Sequence, residues 1–89
     1  MRFTVTWIPS AEGRLAKIWL EASDRGAIAK AANQIDRELR RNADTAGEGR
    51  FETERILFVP PLAIIYDVSV EDRLATVFAA FLAHEEGGL

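Results

Sequence analysis

The chain has 89 residues, 48% of them hydrophobic, with 14 acids against 11 bases for a net charge of −3. That length predicts one domain spanning residues 1–89, folding over a modest core that encloses roughly 60–65% of the unfolded surface, and the apolar content excludes a disordered chain. The absence of cysteine excludes disulfides, thiolate catalysis and cysteine-ligated zinc, and the acidic balance runs against the Lys/Arg excess of proteins that grip a polyanion.

Phe3, Val5 and Trp7 alternate with Arg2, Thr4 and Thr6. This period of two predicts a strand with one buried face, and it begins too early for a signal peptide. With no apolar run near the roughly 18 residues of a membrane span, a soluble cytoplasmic chain is expected. Pro9 ends the strand, and Ser10 is the predicted cap of a helix with Glu12 in its first turn. Ala11, Leu15, Ile18, Trp19 and Ala22 then form an apolar stripe at helical spacing.

Ser23-Asp24 breaks this helix and offers a fresh cap. Ile28, Ala31, Ala32, Ile35 and Leu39 make a second stripe, with Lys30, Arg37, Arg40 and Arg41 mostly off it. The short break predicts an antiparallel helical hairpin. Asn42 to Gly49 reads as a loop, and Arg50 to Val59 as a strand. Pro60-Pro61 marks a turn.

Leu62, Ile64, Tyr66, Val68 and Val70 alternate with Ala63, Ile65, Asp67 and Ser69, giving the clearest strand in the chain. Glu71-Asp72 fits a hairpin turn. From Arg73 to Ala83 the pattern divides. Leu74, Val77, Phe78, Phe81 and Leu82 fit helical spacing, and four alanines favour helix. As a strand the segment would be apolar on both faces. Trp7, Leu15, Ile18, Trp19, Ile28, Ile35, Leu39, Ile64, Tyr66 and Val68 form the expected core.

Taken in order, these elements resemble the RelE/ParE toxin superfamily, which includes type II toxin–antitoxin and plasmid-stabilisation proteins. The resemblance covers residues 3–84. It rests on Trp7-Ile8-Pro9, on Leu15-Ala16-Lys17-Ile18-Trp19 and on Ala31-Ala32-Asn33-Gln34-Ile35-Asp36-Arg37-Glu38-Leu39. It rests above all on the hairpin from Arg55 to Val68, with Asp72-Arg73-Leu74-Ala75-Thr76-Val77 behind it. The resemblance implies an α+β fold: an N-terminal strand, a two-helix hairpin, then three antiparallel strands in one twisted sheet. The ambiguous last segment becomes a strand on this ground. It further implies a cognate antitoxin as partner, in a dimer or heterotetramer, and a target that is DNA gyrase for ParE-like members or the ribosome for RelE-like ones.

Cleaving RNA at a 2′-hydroxyl requires a base, an acid and cations to stabilise the phosphorane. RelE-like nucleases place arginines and lysines on the sheet and a tyrosine near the C-terminus. Here Phe58 and Val59 stand where a base is expected, and the chain runs into His84-Glu85-Glu86. The reading is therefore a toxin that acts by binding, with a ribosome-dependent nuclease or a non-toxic interaction module as alternatives. Arg55 is the best match to a functional arginine; otherwise it is a strand residue paired with Glu52 or Glu54. Arg50 is a target contact or a loop residue, and Arg73 is a contact or part of the turn beside Asp72. Tyr66 reads as a core residue with a wet hydroxyl. His84 is the only side chain with a near-neutral intrinsic pKa. Arg55 and His84 are the catalytic candidates, and Arg50, Arg55 and Arg73 the candidates for target or antitoxin contact. Too few ligands converge on His84 to suggest a metal, and no cofactor is implied.

Overall fold

Pro9 controls the first turn of the chain. Its fixed φ suits the first helical position, so helix α1 (Pro9–Glu21) begins one residue before Ser10, with Ile8 at the cap position. The Ser10 hydroxyl therefore caps nothing, contrary to the sequence expectation. In the computed structural model, which describes residues 2–83, α1 follows strand β1 (Thr4–Trp7). Helix α2 (Arg25–Asn42) opens as expected on Asp24, whose carboxylate accepts from the Ala27 amide at 3.0 Å. Between the helices, Arg25 donates to the carbonyls of Trp19 and Leu20 at the end of α1. The Trp19 carbonyl also accepts from the Ala22 amide at 3.3 Å, and the last carbonyls of a helix run short of backbone donors, so one side chain helps to close one helix while starting the next.

Four strands follow: β2 (Glu48–Phe51), β3 (Glu54–Val59), β4 (Leu62–Ser69) and β5 (Leu74–Leu82). The five form a single sheet in the order β1-β5-β4-β3-β2. Consecutive strands from β2 to β5 pair antiparallel, whereas β1 pairs parallel with β5, Thr4 opposite Leu74. The α+β class is as the sequence implied, with one strand more than expected. The segment from Arg50 to Val59 is not a single strand but the greater part of a hairpin, β2 and β3, turning at Glu52-Thr53. Glu52 holds φ of 52° there, a left-handed conformation usually given to Gly or Asn. The sequence therefore carries no turn signal at that point.

Residues 74–82 are a strand, so the helical spacing of their apolar side chains was misleading. The cause is position. This strand lies between β1 and β4, with Ala75, Val77 and Ala80 buried toward the helices and Thr76, Phe78 and Ala79 half-buried. A central strand apolar on both faces loses the alternation that marks a half-buried one.

Both helices lie against one face of the sheet. Ala11 and Ile18 of α1 and Ile28, Ala31, Ile35 and Leu39 of α2 meet Leu57, Val59, Leu62, Ile64, Tyr66, Val68, Ala75 and Val77. Trp7 and Leu15 pack half-buried at the margin. Trp19 departs from expectation: it is 40% exposed, its ring covered by the Arg25 guanidinium at 4.8 Å from the centroid. Trp19 lines a shallow apolar groove between the two helices with Leu15, Ile28 and Ala32, and lies outside the core cluster. Among the described residues no helix is long and apolar enough to cross a membrane.

Candidate functional site

Alternation along β3 and β4 places Arg55 and Tyr66 side by side, directly opposite one another and on the helix-facing side of the sheet. Tyr66 is fully buried. Its hydroxyl donates to the carbonyl of Ala43 at 2.8 Å and accepts from the amide of Gly47 at 3.2 Å. Arg55 Nη2 donates to the carbonyl of Gly47. Both polar groups of the Gly47 backbone are thus held by side chains from the sheet. A Cβ at residue 47 would collide with the carbonyl of Ile56, so only glycine permits this approach. Together the four residues fasten the end of α2 and the start of β2 onto the middle of the sheet.

Burial drives the Tyr66 pKa above its ordinary value, with the hydrogen bond and charge of Arg55 pulling the other way. The phenol stays neutral in the physiological range and is fully engaged. It is a core residue, as its strand face suggested, but its hydroxyl is buried rather than wet. Arg55 is paired with neither Glu52 nor Glu54; the carboxylate of Glu54 meets Arg50 at 3.3 Å. Arg55 shares a shallow cleft with Asp44, Glu52, Asp67 and Glu71. None of these carboxylates forms an ion pair with Arg55.

The other candidates lie apart. Arg50 is exposed on the edge strand β2 and joined to Glu54. Arg73 is exposed at the start of β5, with φ of 53°, and its backbone closes the β4–β5 turn. Its carbonyl also accepts from the Thr4 amide at 2.8 Å, so its backbone has a structural task whatever its side chain does. His84 lies outside the described residues. Of the three arginines, only Arg55 lines the cleft with Asp44 and Glu52. Among the described residues there is no group of His, Asp and Glu suited to hold a metal ion.

No protein-family model and no curated protein matches the sequence. Solved structures do match. A chain of the RelBE2 toxin–antitoxin complex from Mycobacterium tuberculosis superposes with a TM-score of 0.75 at 15% identity, over 93% of this chain and 100% of that one. The two chains share a RelE/ParE-like fold. A chain of the chromosomal ParDE system of P. aeruginosa gives a TM-score of 0.62 at 14% identity, over 93% of this chain and 98% of that one.

Two features of this RelE/ParE fold escaped the sequence reading. Gly47 was assigned to a loop, and only its proximity to Ile56 gives it a role. The outer face of the sheet, bearing Ile56, Phe58, Ile65 and Phe81, received no function, although the alternation of β3 and β4 was a signal that would have separated it from the core.

Proposed function

We propose that this chain is the toxin of a type II toxin–antitoxin pair, neutralised by a cognate antitoxin, and that it arrests growth by binding its target. The observation that carries the first part is near-complete coverage in both directions by chains of two toxin–antitoxin complexes, RelBE2 and ParDE. Binding rather than cleavage is supported by the commitments of the candidate residues. Arg55 and Tyr66 are used in fastening Gly47, and the cleft that Arg55 borders is lined by acids rather than further bases. A ParE-like target, DNA gyrase, fits this reading better than the ribosome. The antitoxin would join it in a dimer or heterotetramer.

Induced expression in a bacterial host, with and without the adjacent reading frame, tests the first part. Growth should stop without the neighbour and recover with it; unaffected growth in both cultures would leave the non-toxic module. Cleavage of translated messages in the arrested cells would replace the binding mechanism by the nuclease. Inhibition of gyrase supercoiling by the purified chain would support it.

A further inference from the structure

The sheet has a second face, which no helix of the described chain covers. Register assigns its side chains. With Leu57, Ile64 and Ala80 turned toward the helices, the pairs Phe58↔Ala63 and Ala63↔Phe81 form one outward row. The pairs Ile56↔Ile65 and Ile65↔Ala79 form the next. Phe58 is 53% exposed. Ala63, fully buried yet outside the core cluster, lies between the two phenylalanines. The result is a contiguous apolar patch across three central strands, with no base in either row.

Its border is acidic. Glu54 and Asp67 face each other in the row beyond Ile56 and Ile65, and Glu48 lies opposite Ile56 on β2. Arg50 offsets Glu54, while among the described residues neither Glu48 nor Asp67 has an ion pair. Apolar rows of this kind on a folded domain mark a contact surface. Among the described residues a polyanion would meet there only Arg50, already paired with Glu54, against two carboxylates at the rim without an ion pair.

We propose that this outer sheet face is a docking surface for a protein segment that combines large apolar side chains with lysine or arginine. The apolar side chains lie over Ile56, Phe58, Ile65 and Phe81, and the bases reach the carboxylates of Glu48 and Asp67. Charge complementarity selects this occupant over an acidic segment or a nucleic acid. The surface stands whether or not the chain arrests growth.

A random 12-residue peptide-display library, selected on the immobilised full chain, tests this assignment. Recovered peptides should pair aromatic or branched apolar residues with Lys or Arg. Their affinity should fall at least about tenfold in Phe58→Ser, as for a contact aromatic at an interface. Phe58 is half-exposed, and unchanged thermal unfolding of the variant establishes that the fold is intact. Glu48→Lys or Asp67→Lys should shift the selection toward acidic peptides. Failure to enrich, an acidic consensus on the parent chain, or binding indifferent to Phe58→Ser would each overturn the proposal. A self-association that Phe58→Ser dissolves would assign the face to a second copy instead. Phe58-dependent binding of a single-stranded oligoribonucleotide would assign it to RNA.

Discussion

The hydroxyl of Tyr66, in the middle of β4, meets the carbonyl of Ala43, just past α2, at 2.8 Å. Removing that oxygen in Tyr66→Phe leaves the buried Ala43 carbonyl and the half-buried Gly47 amide short of a partner. The expected loss is about 1–3 kcal/mol. For a domain of this size each kcal/mol lowers the melting temperature by roughly 4–8 °C. Thermal unfolding checks this, and an unchanged melting temperature would mean that the two bonds contribute nothing net.

The same group sets an alkaline limit on stability. Tyr66 has its folded pKa raised by burial, so the folded state holds the proton more tightly than the unfolded one. The contribution is complete below the unfolded value of about 10 and is lost as pH rises through the folded value. Stability should therefore decline above about pH 10, and the Tyr66→Phe variant should lack this component of the decline. Tyr66 is the only tyrosine, so tyrosinate absorbance reports on it alone. A phenol that ionises at or below the ordinary tyrosine value in the folded protein would contradict the account.

Ile35 and Trp19 belong to the two apolar stripes but should respond differently to truncation. Ile35 has no exposed surface, and Ile35→Ala should cost about 2–5 kcal/mol. Trp19 is 40% exposed and rests against Arg25, so Trp19→Ala should cost less despite deleting a far larger side chain. Denaturant titration of both variants orders them. A larger loss at Trp19 would place it in the core after all.

Arg50 and Arg55 separate stability from contact. Arg50→Ala removes an exposed ion pair, worth about 0–1 kcal/mol, and should leave the melting temperature nearly unchanged while weakening growth arrest. Arg55→Ala removes the donor to the Gly47 carbonyl and should destabilise by about 1.5–3 kcal/mol, the range for hydrogen bonds from charged groups. His84→Ala should leave growth arrest intact under a binding mechanism. A nuclease relying on that imidazole would lose roughly 10²–10⁴ in rate. Soluble yield and growth curves, read together, distinguish these outcomes.

Much of the architecture was legible because local patterns agreed with their surroundings. Leu62, Ile64, Tyr66 and Val68 alternate on a strand whose inner face meets both helices. Ile28, Ala31, Ile35 and Leu39 repeat at helical spacing on the buried side of α2. Patterns failed where tertiary position overrode them. Leu74–Leu82 is flanked by strands on both sides, and the β2–β3 turn uses Glu52 in a conformation its side chain does not advertise. The sequence marked Arg55 and Tyr66 as noteworthy, but not their partners. The atoms they bind are backbone groups of Ala43 and Gly47, remote in the chain and carrying no side-chain signature.

The parallel pairing of β1 with β5 carries a consequence for the order in which the protein comes together. Thr4 through Trp7 are made well before their strand partners, Leu74 through Val77. A nascent chain emerging from the ribosome can close the helical hairpin early, because α1 and α2 are neighbours in sequence. The sheet must wait. Until β5 is released, β1 has no neighbour to pair with, and Val5 and Trp7 lack the strand that helps to enclose them. Such long-range closure slows folding relative to local assembly. Completion of the native sheet thereby waits on the synthesis of β5, and a chain halted before Leu74 cannot build the full sheet from which both faces take their shape.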